Sequence, residues 1–206
     1  MDLDAVAKAY RTIVTALPMA TVHYATKCNP HPAVLSRLHD VGSSFEIASA
    51  PELETLCDIG VDPARVIFSN PVKPIAHIVR AYAAGVRRFA FDSLDELAKL
   101  ASVAPDASVF VRLAAHQTRS DVPSEGKFGV DPDAAVGLLL AARDHGLDPF
   151  GITFHVGSQM LAPQAWRRPL QAVGQVMEKL QPAGSGCAWS TSAVASRPGT
   201  ARSRCH

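Results

Sequence analysis

The chain has 206 residues, room for one ordinary domain or for much of a barrel that needs about 250. Apolar residues make up 48% and charged residues 19%, a globular composition, and a formal charge of +1 gives no basic field to attract nucleic acid or a membrane surface. The N-terminus, MDLDAVAKAYRTIV, has acids where a secretory signal has its positive region, no apolar run spans a bilayer, and Cys28, Cys57, Cys187 and Cys205 lack CxxC spacing; a cytoplasmic chain with reduced thiols and no metal site is expected.

From Thr21 onward short β-branched or aromatic runs alternate with apolar stripes at helical spacing. TVHYATK (21–27) precedes a helical stripe at 30–42, and SSFEIAS (43–49) precedes one at 50–60. RVIFSN (65–70) leads to 74–85, RRFAFDS (87–93) to 94–105, and SVFVRLA (108–114) to PDAAVGLLLAARDHG (132–146). GITFHVGS (151–158) is followed by PQAWRRPLQAVGQVMEKL (163–180), where Pro169 is expected to kink or interrupt the helix. Pro, Asp or Ser opens several of these helices and Gly closes several, as helix ends prefer. Consecutive β-α units of this length predict a parallel sheet, either a closed barrel or an open doubly wound sheet. No glycine-rich turn follows the first strand, which weakens the dinucleotide-binding alternative.

In both folds ligands bind at the carboxyl ends of the strands, and those ends are polar here: Lys27 and Asn29, Glu46 and Ser49, Ser69 and Asn70, Asp92 and Ser93, Arg112, then His155 and Ser158. Lys27 closes an otherwise apolar run. Partial desolvation suits such an amine to condensation with an aldehyde cofactor; a lysine that snorkels outward, or pairs with Glu46 or Asp92, is the reading that position alone favours. Glu46 and Arg112 could form a charged pair around a ligand or a plain structural one. His155 could be a simple hydrogen-bonding histidine, while the Gly157-Ser158 turn after it can offer amides and a hydroxyl to a phosphate.

Taken in order and spacing, YATKCN, SSFEIASAPELE, VIFSNPVKP, FAFDSLDEL, SEGKFGV and GITFHVGS resemble the ornithine/diaminopimelate/arginine decarboxylase family across roughly residues 21 to 160. The resemblance implies an α/β fold, a (β/α)8 barrel of TIM type binding pyridoxal 5'-phosphate and followed in the family by a β-domain, and a head-to-tail homodimer with shared active sites. It implies that Lys27 forms the covalent link to the cofactor and that His155 stacks on its ring. Ser158 is placed at the phosphate, and Ala25, Glu46 and Arg112 line the cofactor site. Asp92 and Lys127 match positions that pair with the partner subunit. Glu46 departs from the aspartate of the eukaryotic ornithine enzymes. The implied reaction is decarboxylation of a small basic amino acid, ornithine before lysine or diaminopimelate. A non-catalytic regulatory homologue that binds decarboxylase partners is one alternative and a racemase-like barrel another; FHVGS and SEGKFGV favour the decarboxylases.

Residues 1–181 are expected to form a partial barrel of about six β/α units, without the β-domain. The tail 182–206, QPAGSGCAWSTSAVASRPGTARSRCH from Gln181 on, loses strand and helix periodicity and reads as disordered. Read one base earlier, its codons can give LRLVNVGGGFPARYG from Cys187 on, with Ala193, Val194 and Ala195 becoming three glycines, which resembles the family's seventh strand and phosphate loop. A frameshift near Pro182 to Gly186, and with it an inactive product, is the expectation.

Overall fold

The computed structural model describes residues 1–114, 128–157, 160 and 162–181, together with the backbone of 190–194. Asp2 opens the first helix, α1 (Leu3–Ala16), by accepting from the amides of Asp4 and Ala5 at 3.1 and 2.9 Å. This helix was not among the elements expected. It buries Ala7, packs Leu3, Val6 and Tyr10 against the core, and is tied to α2 (Pro32–Asp40) by Arg37 on Asp4 at 2.9 Å.

The expected alternation then follows as β1 (His23–Ala25), α2, β2 (Ser44–Ile47), α3 (Ala50–Asp58), β3 (Val66–Phe68), α4 (Ile75–Ala84), β4 (Arg88–Phe91), α5 (Leu94–Val103), β5 (Ser108–Leu113), α6 (Pro132–Asp144), β6 (Asp148–His155) and α7 (Arg167–Leu180). Proline stands at the start of α2, α3 and α6, where its missing N–H costs no helical hydrogen bond. Gly85 closes α4 in the left-handed region. Pro169 does not kink the last helix. The segment begins as a 3-10 turn, Pro163–Trp166, and the α-helix starts at Arg167, so Pro169 falls in its first turn, where amides have no helical partner.

All strands are parallel and lie in sequence order, β1 through β6, with a seventh, β7 (Ser190–Val194), beside β6. An open doubly wound sheet must reverse its strand order at a switch point, and this one does not, so the sheet is barrel wall. β7 lies in the tail read as lacking strand pattern. Its backbone pairs from Gly151↔Ser190 to His155↔Val194, and such pairing along an open edge uses main-chain groups, which no side-chain periodicity reports.

The two sheet faces differ. Towards the helices, Phe45, Ile47, Phe68, Phe89, Phe91, Val109, Val111, Ile152 and Phe154 join one large core with residues such as Leu35, Ile78, Leu97, Leu138 and Val176. Among the described residues the opposite face holds a small apolar cluster, Ile67, Ala90 and Phe110. Among the described residues no helix is long and apolar enough to cross a membrane.

Candidate active site

Paired residues of neighbouring strands share a face, and side chains alternate along each strand. The pairs Ala25↔Glu46, Glu46↔Ile67, Ala90↔Phe110 and Arg112↔Thr153 therefore set Ala25, Glu46 and Arg112 on the face of the small Ile67 cluster. Continuing the alternation adds Ser69, Asp92 and His155 at the carboxyl ends. Five strand ends, those of β2 to β6, thus bring their polar side chains to one rim.

Lys27 is not in the strand that the apolar run suggests. β1 stops at Ala25, and Thr26–Cys28 form a 3-10 turn that carries the lysine onto the rim. The turn is secured on its far side: Tyr24 Oη donates to the carbonyl of Asn29 at 3.4 Å, and Asn29 Oδ1 accepts from the amide of His31 at 3.1 Å. The Lys27 side chain is 54% exposed, and its Nζ lies 3.4 Å from Oε1 of Glu46, which is 1% exposed. Of the two acids considered as partners for Lys27, the structure selects Glu46. The register explains it, because Ala25 and Glu46 are neighbours on adjacent strands, whereas Asp92 stands two strands further on. Asp92 instead accepts from the amide of Gly129 at 2.8 Å.

The charged pair expected between Glu46 and Arg112 does not form. Arg112 places its guanidinium 5.2 Å from the centre of the Phe128 ring. Burial lowers its pKa, and the negative charges of Asp92 and then Glu46 act in the opposite direction. Cys28, beside Lys27, has its thiol pushed up by burial and by the charge of Glu46, with Lys27 acting in the opposite direction. His155 ends β6 at the rim. Ser158 and Lys127 lie outside the described residues.

One buried polar atom at this rim has no hydrogen-bond partner among the described residues: Oε2 of Glu46. Buried groups of that kind call for a ligand or water. With the half-exposed Lys27 amine beside it, this carboxylate fits a polar aldehyde cofactor, with Lys27 as the residue that would hold it.

Sequence reasoning missed three features. Ser69 was visible only as a polar strand end; in the structure its hydroxyl donates to Oε1 of Glu46. Lys73, in the loop after β3, is fully buried, paired with Glu96 at 2.9 Å and donating to the carbonyls of Asn70 and Ala90 at 2.9 and 2.5 Å. Burial lowers its pKa to about 8 although Glu96 opposes the shift. Gly129, with φ of +96°, lies where an added Cβ would meet the backbone of Leu113 and Ala114 within 2.7 Å, so only glycine allows the close approach that presents its amide to Asp92.

Comparison with known proteins bears on the family and the fold. Residues 3–189 match the family described as pyridoxal-dependent decarboxylase, pyridoxal binding domain. A lysine/ornithine decarboxylase of Selenomonas ruminantium is 41% identical over 183 residues, covering 89% of this chain and 47% of that protein. Antizyme inhibitor 2 of Xenopus laevis is 33% identical over 177 residues, covering 86% of this chain and 39% of that protein. The crystal structure of a lysine/ornithine decarboxylase from Vibrio vulnificus complexed with cadaverine superimposes with a TM-score of 0.83 at 32% identity, covering 93% of this chain and 50% of that one. The chain thus spans about half the length, or less, of the relatives it matches. With the family model covering nearly all of it, the chain belongs to the pyridoxal-binding domain family of the pyridoxal-dependent decarboxylases.

Proposed function

We propose that this chain forms the cofactor-anchoring part of a pyridoxal-phosphate-dependent decarboxylase acting on a basic amino acid, with ornithine preferred over lysine or diaminopimelate. The observation that carries the reading is the Lys27 amine, half exposed at the carboxyl ends of the strands and 3.4 Å from a buried carboxylate. When bound, the cofactor supplies an electron sink for the pair left as carbon dioxide departs. The chain's own residues do the rest. Lys27 would hold the cofactor through its amine, Glu46 would hold that amine when it is released, and His155 would lie against the cofactor. Ala25 leaves room beside the lysine, Arg112 lends positive charge, and Ser158 meets the phosphate. Similarity to lysine/ornithine decarboxylases supports a basic substrate.

Assembly as a cytoplasmic homodimer, with Asp92 and Lys127 facing the partner, belongs to the same reading. So does the division at residue 181. We infer that 182–206 is translated out of frame and that this product captures the cofactor without turning substrate over. In support, the strand at Ser190–Val194 falls where the shifted frame reads VNVGG. The likeness to antizyme inhibitor 2 favours a second reading, a regulatory protein that binds decarboxylase partners. Retention of Lys27 weighs against it, because such a protein has no use for the amine.

Resequencing the gene tests the frame, and carbon dioxide release by the product of the corrected frame tests the reaction. Fastest release from ornithine, abolished by Lys27→Ala, is expected. Release that survives Lys27→Ala overturns the assignment.

A further inference from the structure

Glu46 lies almost completely out of water, yet both of its donors among the described residues sit on one oxygen. Ser69 Oγ and Lys27 Nζ both approach Oε1, while Oε2 is buried without a partner among the described residues. A buried carboxylate is stable only if donors compensate its lost hydration, so these two donors matter more than they would on the surface. They differ in kind. Lys27 reaches Glu46 from an exposed turn on a flexible four-carbon stem. Ser69 is buried, and its amide donates to the carbonyl of Ile47 at 3.1 Å, which continues the pairing of β3 with the strand that carries Glu46. One donor can leave; the other is built into the sheet.

We propose that Ser69 is a positioning residue for Lys27, its hydroxyl holding the Glu46 carboxylate in place while the lysine amine moves between that carboxylate and the aldehyde carbon of the cofactor. This rests on the reading of Lys27 as the cofactor lysine. It predicts a direction. Without the hydroxyl, Glu46 depends on Lys27 alone, the amine is held more firmly at the carboxylate, and its condensation with an aldehyde slows. The effect must pass through Glu46 and vanish when the carboxylate is absent.

The test follows capture of pyridoxal 5'-phosphate by the full chain. The Lys27 nitrogen attacks the aldehyde carbon, water leaves, and borohydride delivers hydride to the carbon–nitrogen double bond, giving a secondary amine that peptide mass spectrometry locates and counts over time. Ser69→Ala is expected to slow capture at Lys27 about tenfold, the worth of one hydrogen bond to a charged group. Ser69→Thr, which keeps the hydroxyl, should stay within about twofold of the parent, and Ser69→Ala in a Glu46→Gln background should change the rate by less than about twofold. If Ser69→Ala fails to fold by circular dichroism, Ser69→Cys, of similar volume and a weak donor, takes its place. Capture at the parental rate in the alanine or cysteine variant, or equal slowing with and without Glu46, overturns the role of Ser69 and leaves Lys27 as assigned. Absence of capture at Lys27 in the parent chain overturns both.

Discussion

Replacing Lys73 by methionine removes the most deeply buried charge described in the chain. Its ammonium is paired with Glu96 at 2.9 Å and satisfies the carbonyls of Asn70 and Ala90. Glu96 itself is 2% exposed and keeps a second partner, Lys99, at 2.5 Å. Breaking a buried pair by removing one member costs about 3–5 kcal/mol, because the other charge is left uncompensated. Lys99 remains, so the lower end applies here, about 3 kcal/mol. In a domain of this size that lowers Tm by roughly 6–12 °C. Urea titration and a thermal scan of parent and variant measure it. Removing both charges, as in Lys73→Met with Glu96→Leu, should recover at least about 1 kcal/mol of the loss, since a buried pair is often replaceable by apolar groups. A single variant within about 1 kcal/mol of the parent, or a double variant worse than the single, would refute the reasoning.

The same lysine sets a pH dependence. Its folded-state pKa of about 8 lies below the ordinary 10.5, so between those values the unfolded chain holds a proton that the folded chain has released. Stability from this group therefore rises with pH across that window, and urea midpoints should show a rise that is absent in Lys73→Met. Gly129→Ala places a Cβ against the backbone of Leu113 and Ala114 at a positive φ and should cost more than about 1 kcal/mol by urea titration. Phe89→Ala empties a fully buried site whose ring centre is 6.1 Å from that of Phe68, and a loss of about 3–5 kcal/mol is expected in the same assay.

The alternation of strands and helices was legible because side-chain period switches between two and 3.6, and because Pro32, Pro51 and Pro132 mark helix starts. Barrel wall and open sheet share that periodicity, and only the pairing order separates them. α1 escaped notice because its buried face is small: Ala7 is its one fully buried residue. The strand at Ser190–Val194 escaped for the opposite reason, since its pairing is made by backbone along the edge of β6. At the site, position alone picked out Lys27 and Glu46 as polar strand ends. Sequence could not say that the lysine sits on a 3-10 turn, or that register hands it Glu46 rather than Asp92. Ser69 and Lys73 carry no motif that names their partners; each acquires meaning from a contact about 23 residues away in the chain.

The central claim is that Lys27 is the amine that takes the cofactor. Its direct test is to mix the chain with pyridoxal 5'-phosphate, reduce with borohydride, and map the modified peptide in parent and Lys27→Ala chains. The account predicts one dominant adduct on Lys27, lost in the variant with no other lysine replacing it. An adduct spread over other lysines, or unchanged in Lys27→Ala, would contradict it.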